Sequence, residues 1–209
     1  MDITEFENKR WHGHEQKLEF RHRAAASLAA EGPALDIGCG DGLLLGLLKQ
    51  KGIVAEGVDI SEEAVATCRA KHLTASVHGF NDPLPYQDGA FAYAVLLDVL
   101  EHVYDPATLL AEAARVSKKV IVGVPNFSSF PARLQVLRGK VPENNAPHKG
   151  HLYWFNQKVL ERVAKEAGLH IVQEKCNTFF PFSKMGGMWT RLWPNFFALS
   201  FVVVLEKNG

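Results

Sequence analysis

Cysteine is scarce in this chain of 209 residues: Cys39, Cys68 and Cys176 are the only three, and no two of them form a C-x-x-C pair. They can build neither a disulfide framework nor a structural zinc site, so a reducing cytoplasm is the expected location and no metal is expected. An excess of one charge is also lacking. Lysine plus arginine and aspartate plus glutamate each number 23, which argues against the basic footprint of a nucleic-acid or anionic-membrane binder and leaves a small molecule or a protein as the expected partner. No apolar run approaches the ~20 residues of a membrane span. Met1-Asp2-Ile3-Thr4-Glu5 carries acid where a secretory signal needs basic residues and then an apolar stretch. Repeats, low-complexity tracts and Gly/Ser linkers are missing too, so a single domain is expected.

What the chain does contain is an alternation of strand and helix patterns. Ala34 to Ile37 is a short apolar run leading into Gly38-Cys39-Gly40-Asp41-Gly42, and Leu43, Leu44, Leu45, Leu47 and Leu48 follow as a packed helix. A second strand is predicted over Ile53 to Asp59. Ser61 then caps a helix whose Glu62 and Glu63 suit its positive end, running to about Lys71. Ala75 to His78 is the third strand. Phe91 to Leu97 is apolar on both faces, as a central parallel strand covered on each side must be. Asp105-Pro106 opens the next helix, Val120 to Val124 is the fifth strand, and Asn156 caps a helix that ends before Gly168. Two strand-like runs, His170 to Cys176 and Phe201 to Lys207, close the chain. The order predicts an α/β fold with a Rossmann-like, doubly wound sheet, whose ligands sit at the carboxyl ends of the central strands.

The functional signal lies at those ends. Glycines at 38, 40 and 42 allow a sharp turn and close approach of a ligand to the backbone, and the helix that follows offers free amides to a carboxylate. Asp59 ends the second strand, where an acid can accept both hydroxyls of a ribose. A nicotinamide fingerprint would need a glycine at position 43, where this chain has Leu43, so an oxidoreductase is disfavoured.

Leu35 to Gly42, Gly57-Val58-Asp59-Ile60-Ser61, Leu84 to Phe91, Leu100-Glu101-His102-Val103-Tyr104-Asp105-Pro106 and Arg115-Val116 resemble class I S-adenosylmethionine-dependent methyltransferases. Val124-Pro125-Asn126-Phe127, Arg133-Leu134-Gln135 and Gly139-Lys140-Val141-Pro142 further resemble the MetW group. Asp98-Val99-Leu100-Glu101-His102, by contrast, is similar to small-molecule methyltransferases of quinone biosynthesis. The resemblance implies a seven-stranded sheet with an antiparallel last strand. It also implies S-adenosylmethionine as cofactor, with S-adenosylhomocysteine as product. Asp36, Gly38, Cys39, Gly40 and Gly42 would lie along the methionine part, Asp59 and Ile60 at ribose and adenine, and Leu97 on the sulfonium side. The adenine amino group falls to Asn81 or Asp82, or Phe80 packs on the adenine ring instead, with the register open. Two functions stay in view: methyl transfer to O, N or C of a small metabolite, apolar ones included, and a MetW-like accessory role that keeps the cofactor pocket but acts through a partner enzyme such as a homoserine acyltransferase.

Methyl transfer needs a base only if the acceptor must lose a proton. His151 is the first candidate and His102 the second, with His148 in the same loop as His151; each has a scaffold reading as well. Residues 1–30 are expected to form a helical amino-terminal lid, although a surface helix with one buried aromatic explains Trp11, His12 and His14 almost as well. Residues 34–177 form the core, 178–200 an aromatic insertion and 201–207 the last strand. The insertion has four readings: a cap on the sheet edge, an acceptor wall, a homodimer surface or a peripheral membrane contact.

Overall fold

The computed structural model describes residues 3–13, 15–80, 82–142, 150–179, 182 and 188–208. His14, Asn81 and His148 lie outside them. Seven strands form one sheet: β1 (Ala34–Ile37), β2 (Ala55–Asp59), β3 (Ala75–Val77), β4 (Phe91–Leu97), β5 (Ser117–Pro125), β6 (Leu169–Thr178) and β7 (Ala198–Lys207). Their order is β3-β2-β1-β4-β5-β7-β6. The first five strands pair in parallel, while β7 runs antiparallel to both β5 and β6. This is the expected doubly wound sheet. Every residue of β4 is buried, because helices cover both of its faces: Ala94 and Leu96 pack toward α5 (Pro106–Val116) and α7 (Gln157–Glu166), and Val95 and Leu97 toward α2 (Phe20–Leu28) and α3 (Leu43–Gln50).

The helices start where local chemistry predicts. Ser61 Oγ accepts from the Ala64 amide at 3.2 Å to cap α4 (Glu62–Ala70), Asp105 Oδ1 accepts from Thr108 at 3.0 Å ahead of Pro106, and Asn156 Oδ1 accepts from Val159 at 3.0 Å. Each cap satisfies an amide that the first helical turn cannot pair. The strands at the far edge are longer than their apolar runs suggest. The β5–β7 ladder continues to Pro125↔Ser200 and the β6–β7 ladder to Thr178↔Ala198, so β7 begins inside the segment expected to be insertion. Backbone pairing, not side-chain hydropathy, sets those ends. In β2 the opposite holds, and Ile53 and Val54 lie before the strand.

The amino-terminal segment divides. α2 is part of the core, with Ala24, Ala25, Ala26 and Leu28 buried against the sheet, whereas α1 (Ile3–Trp11) overlies the carboxyl end of the sheet and is tied to α4 by a 2.7 Å hydrogen bond from Ser61 Oγ to Asn8 Oδ1. Between β7 and β6, the aromatic rings gather on Phe197. Phe182, Phe196 and Trp189 stand 4.8, 4.9 and 5.2 Å from it, centroid to centroid. Phe130 of α6 (Phe130–Leu137) joins through Phe196 at 5.0 Å. Leu192 and Trp193 on the rim stay exposed. No helix among the described residues is long and apolar enough to cross a membrane.

The entry to α2 uses a neutral histidine. The buried Nδ1 of His22 accepts from the Glu19 amide at 3.2 Å, and burial, with the Arg21 charge adding to it, lowers its pKa from 6.5 to about 4. Because the folded protein binds this proton less readily than the unfolded chain, the contribution is complete above about 6.5 and is lost as pH falls toward about 4. Urea unfolding across that window should therefore show a steeper loss of stability in the native protein than in His22→Gln, by at most ~1.4 kcal/mol per pH unit. Parallel curves would remove this role.

Candidate functional site at the carboxyl end of the sheet

Strand order reverses between β1 and β4, and the crevice opens there. From β1 the chain enters the glycine loop with φ of +77° at Gly38 and +53° at Gly40, values that side chains on L-residues rarely tolerate. Space is equally restrictive. A Cβ on Gly38 would sit 2.4 Å from Val99 Cγ2, and one on Gly40 2.4 Å from the indole of Trp11. Asp59 holds the loop in place: its Oδ2 accepts from the Gly40 amide and its Oδ1 from the Ser61 amide, both at 2.9 Å. Burial pushes the Asp59 carboxyl up while those amides pull it down. Asp36, fully enclosed beneath the loop, is pushed up to about 8 by burial and then by the charge of Asp59. The Cys39 side chain points into a small cluster with Cys68, the sulfurs 3.9 Å apart, and its thiol is driven well above the usual range by the Cys68 contact and by burial. That chemistry does not suit a nucleophile.

The exit from β4 forms the opposite wall. Asp98 takes a left-handed conformation (φ +54°) and pairs with Arg21 at 2.6 Å. The turn sends the chain into a short 3-10 segment, Leu100–His102. The Glu101 carbonyl accepts from the amides of Leu152 (2.7 Å) and Tyr153 (3.1 Å), which docks a loop from fifty residues further on. His151 arrives with it. Its Nε2 stands 4.0 Å from Glu101 Oε1, and its ring meets that of His102 edge-on at 4.9 Å. His102 Nδ1 faces the Gly150 carbonyl at 3.3 Å. The Glu101 side chain is 1% exposed, and neither of its oxygens has a hydrogen-bond partner among the described residues. Burial pushes that carboxyl well up, with the Asp98 charge adding to it, and burial lowers His102 to about 4, with the charges of Arg10 and His151 adding.

A cavity of about 650 Å³ lies between these walls. Gly38, Asp59, Ile60, Phe80, Leu97 and His102 all line it, so six of the residues singled out in the sequence meet at one surface. Asp36 in β1 and Cys39, Gly40 and Gly42 in the loop are not among the lining residues, and His151 packs on His102, which lines the cavity, while its neighbours Gly150 and Leu152 form part of the wall. None of the described aromatic residues from 179 to 197 lines the cavity, which removes the acceptor-wall reading for them. α1 contributes Phe6, Glu7, Arg10 and Trp11. Three participants were not singled out as site residues: Arg21, Asp98 and Glu101. The signal for two of them was present, since Asp98 is an acid directly after a buried strand and Glu101 is a second acid three residues further on.

The family model described as "Methionine biosynthesis protein MetW" matches residues 22–204. The chain belongs to the MetW family. This MetW-family chain is also 35% identical over 160 residues to a ubiquinone biosynthesis O-methyltransferase of Methylococcus capsulatus, a match covering 71% of the chain and 67% of that protein. It is 28% identical over 162 residues to the protein of the same description from Thiobacillus denitrificans, covering 72% and 70%. Among solved structures, magnesium protoporphyrin IX methyltransferase of Synechocystis, crystallised with S-adenosylhomocysteine, superposes with a TM-score of 0.69 at 16% identity, covering 99% of this chain and 95% of that one. That likeness shows that this MetW-family member shares the Rossmann-like fold of that protein.

The glycine loop makes a direct prediction. Gly38→Ala places a methyl group against Val99 in a backbone conformation that alanine disfavours, and should cost ~1–3 kcal/mol. A thermal melt of the variant superimposable on that of the native protein would show that the loop relaxes freely.

Proposed function

We propose that the chain is an S-adenosylmethionine-dependent methyltransferase acting on a small metabolite. The observation that carries the reading is the pairing of the glycine cradle with Asp59 at the switch point of a methyltransferase fold. At Gly38 and Gly40 any side chain would collide with Val99 or Trp11, so the loop must stay bare to pack against those walls, and at Gly38 it brings its backbone to the cavity. In this reading Asp36, Gly38, Cys39, Gly40 and Gly42 shape the loop along the methionine part. Asp59 receives the ribose hydroxyls on the lone pairs that its two amide bonds leave over, Ile60 and Phe80 flank the adenine, Asn81 is a further candidate for its amino group, and Leu97 lies on the sulfonium side. When bound, S-adenosylmethionine supplies a methyl group on a sulfonium that leaves as a neutral thioether. The protein has to orient the acceptor in line with that methyl group and exclude water.

His102 faces the cavity and His151 packs on it, which supports reading these two imidazoles as the candidates to take an acceptor proton. The apolar wall of Phe6, Val103, Tyr104 and Leu152 suits an acceptor with an apolar body, and relatives named as O-methyltransferases support oxygen as the atom methylated. One observation favours the accessory reading: past the cavity, Val136, Leu137, Val141 and Trp154 are exposed apolar residues that suit a protein partner, whether a second enzyme or a second copy. Co-purification with such a partner in the absence of any methyl transfer would favour it. Location in the cytoplasm belongs to either reading.

The deciding experiment is a calorimetric titration with S-adenosylhomocysteine, run beside labelled methyl transfer to a panel of hydroxylated acceptors. Asp59→Ala should weaken binding at least tenfold, a loss of ~1.4 kcal/mol or more. Unchanged affinity in that variant, or tighter binding of NADH by the native chain, would overturn the assignment.

A further inference from the structure

Two of the three cysteines meet in the fold although no spacing in the sequence pairs them. Cys39 belongs to the glycine loop and Cys68, twenty-nine residues later, to α4. Their sulfurs stand 3.9 Å apart, both side chains are buried, and Leu45, Val65 and Ala75 enclose them. Two glycines leave room for the pair: a Cβ on Gly57 would sit 2.7 Å from Cys39 Sγ, and one on Gly42 2.9 Å from Cys68 Sγ. Both thiols also turn toward one acceptor. Cys68 Sγ donates to the Gly40 carbonyl at 3.2 Å, and Cys39 Sγ reaches the same oxygen at 3.9 Å. The sulfur pair therefore holds Gly40 by its carbonyl, while Asp59 holds it by its amide.

We propose that Cys39 and Cys68 form a reversible disulfide under oxidising conditions and that this bond switches off the donor site. The inference rests on the methyl-transfer reading, since it concerns regulation of the same cleft. Closing the sulfurs from 3.9 Å to bonding distance draws the glycine loop and α4 together. Oxidation also removes both S–H groups, so the Gly40 carbonyl loses its sulfur donors at the moment the loop is pulled. Gly38, one residue before Cys39, lines the cavity, and a displaced loop reaches the donor's seat directly. Hydrogen peroxide is an oxidant small enough to enter so enclosed a cluster. One sulfur attacks its O–O bond to give a sulfenic acid and water, and the second sulfur displaces the hydroxyl as another water. Two thiols and one peroxide thus become one disulfide and two waters, the peroxide taking the two electrons that sulfur gives up. The Cys68 contact, and then burial, drive the Cys39 thiol well up, which slows its oxidation. The pair therefore answers sustained oxidant and stays reduced in a thiol buffer.

The test treats the full chain, reduced and freed of reductant, with hydrogen peroxide, and alkylates the remaining thiols after denaturation. Peptide mass mapping should find Cys39 joined to Cys68, with Cys176 joined to neither. Calorimetric titration should show S-adenosylhomocysteine binding at least tenfold more weakly to the oxidised protein, and dithiothreitol should restore the affinity. Cys68→Ala should form no link and keep its affinity through the same treatment, and Cys68→Ser repeats the comparison if the alanine variant melts early. Free thiols at Cys39 and Cys68 after an exposure that oxidises dissolved glutathione completely would overturn the pairing. A linked protein with unchanged affinity, or an equal loss of affinity in treated Cys68→Ala, overturns the switch. Failure of the reduced native chain to bind S-adenosylhomocysteine sinks the reading beneath instead, and the peptide map still decides whether the two sulfurs join.

Discussion

The two amide hydrogen bonds of Asp59 hold the cleft together. One carboxyl oxygen takes the Gly40 amide and the other the Ser61 amide, so a single side chain at the end of β2 ties the loop after β1 to the start of α4. The glycine loop runs through left-handed conformations, and without this tie its backbone would have many alternatives. The carboxyl is nearly fully buried, and its desolvation is offset by the amides it accepts from. Asp36 lies close by with a raised pKa, so the floor of the cleft is electrostatically tense. Such tension is common where a site is arranged for a ligand instead of for stability alone.

The opposite wall is built by backbone geometry. A left-handed Asp98 redirects the chain out of β4, and a carbonyl three residues later captures the loop that carries His151. The result is a carboxyl and two imidazoles brought together from positions fifty residues apart, next to the floor formed by the glycine loop and Asp59. Division of this kind lets one fold serve many acceptors, because the floor can stay constant while the exit of β4 and the late loop vary.

Membership of the MetW family and likeness to quinone-biosynthesis methyltransferases meet in the same chain without conflict. The family match runs across the whole core, and the floor of the cleft serves either reading. What distinguishes them is the wall with Glu101, His102 and His151 on one side and the exposed apolar residues at the end of α6 and beyond it on the other. The aromatic cluster around Phe197 packs beside β6 and β7, away from the residues that line the cavity.

Much of the architecture was legible from the residues. The buried central strand, the caps at Ser61, Asp105 and Asn156, and the glycine loop with Asp59 all rest on local rules: hydropathy period, capping chemistry and left-handed backbone. The strand ends at β5, β6 and β7 were not legible, because they follow ladder pairing between distant segments. The alanine face of α2 gave little hydropathy contrast against its arginines, so a core helix resembled a lid. The sequence by itself determined which segments become strands and helices and where the glycine loop falls, since each depends on neighbours in the chain. Only the tertiary structure decided that Glu101 is enclosed and that His151 comes to rest beside it, because burial and long-range contact depend on where every other segment has already gone.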